Sequence, residues 1–95
     1  MIDWLTQCKT IKNNRTISSA FEHAEGEMVE LSEELNNYKL GNDQGIDGIV
    51  GEATDVILCM LDIISQYNPD LTMKELEEKY FEQKFNKWKQ NYHVK

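Results

Sequence analysis

The 95-residue sequence has one proline, two cysteines and one arginine, and no apolar run approaches the length of a membrane span. Two cysteines, at positions 8 and 59, are too few for a disulfide scaffold or a zinc site, so we expect a reduced, cytoplasmic setting. The chain begins with neither the basic nor the apolar region of a signal peptide. A single proline, at position 69, leaves room for long helices on both sides of one loop.

Basic side chains are nearly missing from the middle of the chain. Residues 17–70 carry twelve acidic groups and one lysine, Lys39, and the whole chain has a net charge of −7. This acidity argues against nucleic acid and anionic membranes as partners. The acidic side chains are either solvated helix faces or a site that requires cations.

The hydrophobic pattern predicts an all-α fold of four helices in one domain covering residues 1–95. We expect the helices to span Ile2–Asn13, Ser19–Leu40 with Gly41 as the C-terminal cap, Asp47–Asn68, and a last helix that starts after Thr72. The pairs Ser19–Glu22 and Thr72–Glu75 predict capping boxes for the second and fourth helices. A chain of this length hides only about 60–65% of its surface on folding, so we expect oligomerisation to complete the core.

Carboxylates border the apolar faces of the second and third helices. The second helix is predicted to face the core through Ala20, Phe21, Ala24, Met28, Leu31, Leu35 and Tyr38. Glu27, Glu30 and Glu34 flank that stripe, and Glu52, Asp55 and Asp62 flank the most apolar stretch of the third helix. A carboxylate in such surroundings loses hydration unless a cation or a metal compensates it. Because basic residues are scarce nearby, a metal is the simpler compensation, although Asp62 could instead bond a neighbouring helix.

The spacing of these acids suggests a shared pocket. Glu27 with Glu30, and Glu52 with Asp55, are pairs three residues apart, and each pair lies on one face of its helix. Antiparallel packing of the two helices would bring four hard oxygen ligands together, which suits Mg²⁺ or Mn²⁺. Such a site is typical of phosphoryl chemistry.

Two segments around these pairs resemble the motifs of the MazG-like all-α nucleoside triphosphate pyrophosphohydrolases. This superfamily includes dimeric dUTPases and phosphoribosyl-ATP pyrophosphohydrolase. Residues 26–31, Gly-Glu-Met-Val-Glu-Leu, are similar to the first motif, and residues 51–57, Gly-Glu-Ala-Thr-Asp-Val-Ile, are similar to the second. The likeness covers about residues 15–90.

The resemblance implies a Mg²⁺-dependent enzyme with a MazG-like four-helix bundle that cleaves a (d)NTP between its α and β phosphates. Glu27, Glu30, Glu52 and Asp55 would hold the metal, and Glu30 or Glu34 would serve as general base. The family forms dimers or tetramers. Its last helix contacts substrate phosphates, and the residues that match here are Lys84, Asn86 and Lys87, although this chain has Trp88 and Lys89 where the family often has arginine.

Several of these residues have a simpler interpretation. The lysines of the last helix could be a solvated face. His23, one turn before Glu27, could reach a substrate phosphate or remain a surface histidine, and Trp4 could stack on a base or dock into the core. The role that we expect for such an enzyme is house-cleaning of the nucleotide pool. Two other functions are possible alternatives, namely hydrolysis of phosphoribosyl-ATP and a non-catalytic role as an acidic interaction protein.

Overall fold

The computed structural model describes residues 2–11 and 15–92, and these residues form helices and no strand. The helices are α1 (Trp4–Lys9), α2 (Ile17–Lys39), α3 (Ile46–Tyr67), α4 (Met73–Leu76) and α5 (Glu82–Tyr92), with a π-helical turn (Glu77–Phe81) joining the last two. We call residues 73–92 the C-terminal helical segment, because α4, the π-helical turn and α5 follow one another without a break. The predicted all-α class is confirmed.

The start of α1 is fixed by a side-chain cap. The carboxylate of Asp3 accepts a hydrogen bond from the backbone N–H of Thr6 at 3.0 Å. The helix ends at Lys9, with Thr10 as its C-cap, so α1 is shorter than the predicted span from Ile2. The predicted end at Asn13 lies outside the described residues.

The first predicted capping box is wrong in register. Thr16 is the N-cap of α2, its hydroxyl accepts the N–H of Ser19 at 3.1 Å, and the Ser19 hydroxyl accepts the N–H of Thr16 at 3.0 Å. Ser19 is therefore the third residue of the helix rather than its cap, because Thr16 offers an equally good hydroxyl one turn earlier. The C-terminal prediction is confirmed, since Gly41 follows the helix with φ of 77°.

The remaining helix ends follow the sequence closely. Helix α3 begins after Gly45 and ends at Tyr67, with Asn68 as the C-cap before Pro69, because a residue that precedes proline disfavours helical geometry. The capping box of Thr72 and Glu75 is present at the start of α4. Both boundaries of α3 lie within one residue of the prediction.

Helices α2 and α3 form an antiparallel pair. Residues of rising number on α2 lie next to residues of falling number on α3, as shown by the pairs His23 with Cys59, Glu27 with Asp55, and Glu34 with Gly48. The short connection over residues 40–45 permits this arrangement. It places the two acidic motifs opposite each other.

The buried core lies at one end of this helix pair. It consists of Leu5 and Cys8 of α1, Leu61 of α3 and Leu76 of α4, with Ile64, Leu71 and Met73 packed around them. Lys9 adds a polar contact there, because its Nζ donates to the backbone carbonyl of Leu71 at 2.6 Å. Helix α1 and the start of the C-terminal helical segment are thus attached to the same end of α3.

The predicted core stripe of α2 is only partly buried within one chain. Ala20 and Ala24 are buried, whereas the larger members Phe21, Met28, Leu35 and Tyr38 are exposed. The prediction that this stripe faces the core is therefore wrong for the single chain, because α2 packs mainly against α3 and uses its small residues and carboxylates there. The radius of gyration, 15.7 Å, exceeds the roughly 12 Å expected of a compact chain of this length.

Candidate metal centre

Three of the four predicted metal ligands come together. Carboxylate oxygens of Glu27 on α2 and of Glu52 and Asp55 on α3 all lie within 4.8 Å of one another. The three-residue spacing puts Glu52 and Asp55 on one face of α3, and the antiparallel packing brings Glu27 opposite them. We call these three residues the carboxylate cluster.

Glu30, the fourth predicted ligand, lies at the edge of the carboxylate cluster. Its side chain is exposed, and it is not one of the three residues with closely grouped oxygens. Its charge nevertheless reaches the cluster, because it contributes to raising the pKa values of both Glu27 and Glu52. Glu30 is therefore close enough to the carboxylate cluster to influence it electrostatically.

The electrostatics of the carboxylate cluster favour a bound cation. Burial raises the pKa of Glu27 and of Glu52, and repulsion from Glu30 and Asp55 raises both further. One oxygen of each glutamate, Oε2, is buried and has no hydrogen-bond partner among the described residues. Buried, unpartnered carboxylate oxygens are costly unless they are protonated or bind a cation. An all-oxygen donor set of this kind fits Mg²⁺ or Mn²⁺.

His23 lies beside the carboxylate cluster, as the sequence predicts. Its Nε2 is 3.4 Å from Oε1 of Glu27, one helical turn away, and its Nδ1 is 3.9 Å from the sulfur of Cys59. The side chain is 62% exposed, so it remains accessible to a ligand. Burial raises the pKa of the Cys59 thiol, and the charge of Glu27 raises it further, which favours the inert thiol over the thiolate.

Glu34 has a structural contact that sequence reasoning missed. Its side chain is buried, and its Oε1 accepts a hydrogen bond from the backbone N–H of Gln44 at 2.6 Å. A Cβ atom placed on Gly48 would lie 2.5 Å from that oxygen. The carboxylate of Glu34 on α2 thus lies against the first turn of α3, where the helix dipole favours an anion. The glycine at position 48 was the only sequence signal of this close approach.

Asp62 bonds a neighbouring segment rather than extending the carboxylate cluster. Its Oδ2 accepts a hydrogen bond from Nη1 of Arg15 at 2.6 Å, and the Asp62 side chain is only 8% exposed. The expected bond to a neighbouring helix is therefore replaced by an ion pair with a residue that lies outside any helix. Arg15 directly precedes the N-cap of α2.

A cavity of about 400 Å³ opens between α1, α2 and α3 beside the carboxylate cluster. Glu27 and Asp55 line it together with Trp4, Arg15 and His23. Trp4 is 53% exposed, so its indole is available to a ligand and is not docked into the core. We call this space the cluster cavity.

The predicted phosphate contacts of the last helix lie elsewhere in the single chain. Lys84, Asn86 and Lys87 are exposed on α5 and are not among the residues that line the cluster cavity. Helix α5 makes its main contacts with the π-helical turn before it. Lys84 instead borders an apolar groove with Phe85 and Trp88.

None of the described helices is both long and apolar enough to cross a membrane. Comparison with known proteins gave no matching family model, no match among curated proteins and no match among solved structures.

Proposed function

We propose that this chain is a Mg²⁺-dependent nucleoside triphosphate pyrophosphohydrolase of the MazG-like kind. It cleaves a (d)NTP between the α and β phosphates, releases a (d)NMP and pyrophosphate, and serves as a cytoplasmic house-cleaning enzyme. The observation that carries the proposal is the carboxylate cluster of Glu27, Glu52 and Asp55, with buried and unpartnered oxygens, at the edge of a cavity. The resemblance of both acidic motifs to that superfamily supports it.

The residues divide into binding and proton-transfer roles. Glu27, Glu52 and Asp55 would hold Mg²⁺, which neutralises phosphate charge and lowers the pKa of water when it is bound. We assign the general base to Glu30, because its side chain is exposed beside the carboxylate cluster, whereas Glu34 is buried and already bonds Gln44. A base must reach the proton that it removes, and this requirement favours the accessible carboxylate.

The cluster cavity would hold the nucleotide. Its aromatic wall, Trp4, offers a face on which a base can stack, because every nucleobase presents a π-face. His23 also lines this cavity, with its Nε2 3.4 Å from Oε1 of Glu27, and would contact a phosphate. Lys84, Asn86 and Lys87 would reach this substrate only from a second copy of the chain, so their proposed contacts depend on a homo-oligomer.

A nucleotide panel tests this function directly. We expect the wild-type chain with Mg²⁺ to release pyrophosphate from at least one (d)NTP. Glu52→Gln should lower that rate at least about hundredfold, because a metal supplies several kcal/mol of transition-state stabilisation. Glu33→Gln, an exposed acidic residue on α2 outside the carboxylate cluster, is the matched control and should keep the wild-type rate.

The same panel separates the rival functions. Activity on phosphoribosyl-ATP with none on any (d)NTP would point to the related hydrolysis of that substrate. A non-catalytic interaction protein would give no hydrolysis, and Mg²⁺ would leave its melting temperature unchanged. Under our proposal Mg²⁺ raises the melting temperature of the wild-type chain and of Glu33→Gln, but not that of Glu52→Gln.

A further inference from the structure

We propose that Arg15 is a substrate-positioning residue whose guanidinium, held by Asp62, binds the polyphosphate chain of the nucleotide. This inference rests on the proposed function, because it concerns the substrate bound at the carboxylate cluster. Arg15 is the only arginine of the chain. It belongs neither to the two acidic motifs nor to the last helix.

The charge of the cluster cavity calls for such a residue. Three carboxylates, those of Glu27, Asp55 and Asp62, line it, and among the described lining residues Arg15 is the only permanently charged cation. A polyphosphate adds further negative charge, which one divalent cation at the cluster cannot neutralise alone. Arginine suits this task because its planar fork of donors matches phosphate oxygens.

The ion pair with Asp62 uses only one of the donors of the Arg15 guanidinium. Arg15 and Asp62 meet at one point, Nη1 to Oδ2, although a guanidinium carries five N–H donors. Nε of Arg15 and Oδ1 of Asp62 are both buried without a hydrogen-bond partner among the described residues, and Asp62 is only 6% exposed. A purely structural buried pair gains most from a bidentate geometry that satisfies these atoms. The Arg15 side chain is 22% exposed and lines the cluster cavity, so a ligand there can contact it.

The position of the pair along α3 also fits a bound polyphosphate. Asp62 follows Asp55 by two helical turns, which places it about 10 Å further along the helix axis. A polyphosphate chain with one end at the carboxylate cluster can extend over such a distance toward Arg15. The backbone next to Arg15 is fixed by the capping box of Thr16 and Ser19. The tip of the Arg15 side chain is fixed by its hydrogen bond to Asp62.

The experiment uses the full chain with Mg²⁺ and inorganic tripolyphosphate, a probe that has phosphates and no base. Because Arg15 is the only arginine, its Nε–H gives one resonance in a ¹⁵N-resolved NMR spectrum of the wild-type protein. We expect Mg²⁺ with tripolyphosphate to shift that resonance, whereas Mg²⁺ alone leaves it nearly in place. This readout requires neither a variant nor hydrolysis.

Variants then separate substrate contact from structural support. Arg15→Gln should weaken tripolyphosphate binding about ten- to hundredfold, as the loss of a charge-assisted hydrogen bond predicts. Arg15→Lys keeps the positive charge but loses the planar guanidinium, so it should bind tripolyphosphate with intermediate affinity. Asp62→Asn should weaken tripolyphosphate binding by a smaller factor than Arg15→Gln does. Lys9→Gln is the control, because Lys9 bonds Leu71 and does not line the cluster cavity. It should bind tripolyphosphate as the wild type does.

Each outcome decides a different point. An unshifted Nε–H resonance at saturating tripolyphosphate overturns the inference even if Arg15→Gln fails to fold. If Arg15→Gln binds tripolyphosphate within about twofold of the wild-type affinity, the inference is overturned as well, and the role of Arg15 is only structural. If Mg²⁺ still binds the carboxylate cluster and (d)NTP is still hydrolysed in either case, the proposed function stands. If the wild-type chain does not bind Mg²⁺ at the carboxylate cluster, both proposals are wrong.

Discussion

Burying negative charge is most unfavourable at Glu27 and Glu52. Most of the chain's acidic residues are solvated, but these two have buried Oε2 atoms without partners and raised pKa values. At Asp62 part of the same cost is met inside the chain, because Arg15 pairs with Oδ2, although Oδ1 is buried without a partner among the described residues. Among the described residues, Glu27 has only the exposed His23 within ion-pair distance. The carboxylate cluster therefore has a greater need of a bound cation than Asp62.

Stability should therefore rise on mild acidification when no metal is present. The folded-state pKa values of Glu27 and Glu52 lie above the ordinary 4.5. At a pH between the ordinary pKa and the folded-state pKa, the folded chain therefore binds more protons than the unfolded chain. Unfolding free energy then increases as the pH falls through the folded-state pKa. In EDTA we expect a higher melting temperature just above the ordinary carboxyl pKa than at neutral pH.

Three features of the pH profile check this expectation. Mg²⁺ should reverse the trend, because protons compete with the metal for the same oxygens. The double variant Glu27→Gln/Glu52→Gln should have a nearly flat profile over this range. Well below the ordinary carboxyl range, stability should fall, because hydrogen bonds hold the pKa values of Asp3 and Glu75 low. A flat wild-type profile in EDTA would contradict the electrostatic account of the cluster.

At the scale of helices, the sequence predicts contacts within and between regular elements better than contacts made by loops. The i,i+3 spacing and the short connection were sufficient to predict that Glu27 would meet Glu52 and Asp55. The contact of Arg15 with Asp62 starts from a residue outside any helix, so periodicity carried no information about it. The role of Glu34 depends on the loop at Gln44, whose geometry is likewise absent from the helical pattern.

The junction of α2 and α3 gives a prediction at this scale. Gly48→Ala would place a methyl group 2.5 Å from Oε1 of Glu34 and should displace a buried carboxylate that bonds Gln44. Gly51→Ala, on the same helix, meets no atom within 4 Å and should gain the helix propensity of alanine. We expect Gly48→Ala to be less stable than Gly51→Ala by about 1–3 kcal/mol.

Urea unfolding of both variants measures this difference. The difference should become smaller in a Glu34→Ala background, because the new methyl group then meets Cβ of Gln44, at 3.0 Å, but no carboxylate. Equal stabilities of the two alanine variants in the wild-type background would show that Glu34 is not held over α3 as described. Both comparisons use one helix and one type of substitution, so backbone propensity cancels.

For the whole molecule, the single chain leaves an unusual amount of apolar surface uncovered. Phe85, Trp88 and Tyr92 of α5 are each at least 59% exposed. Together with Phe81 they recur at spacings of four, three and four, which forms one stripe along the helix. Most of the large apolar residues of α2 are exposed as well. The length of the chain predicted that a second copy would complete the core, and these faces are where such a copy would pack.

A charge placed in the stripe of α5 should therefore weaken self-association. We expect the wild-type chain to sediment at about twice its 11.1 kDa or more and Trp88→Glu to shift toward the monomer, because a buried unpaired carboxylate is costly at an apolar interface. Gln83→Glu adds the same charge on the opposite side of α5 and should leave the mass unchanged. A monomeric wild type across the micromolar range would contradict completion of the core by a second copy. A Trp88→Glu protein with the wild-type mass would assign the contact to the exposed face of α2 instead.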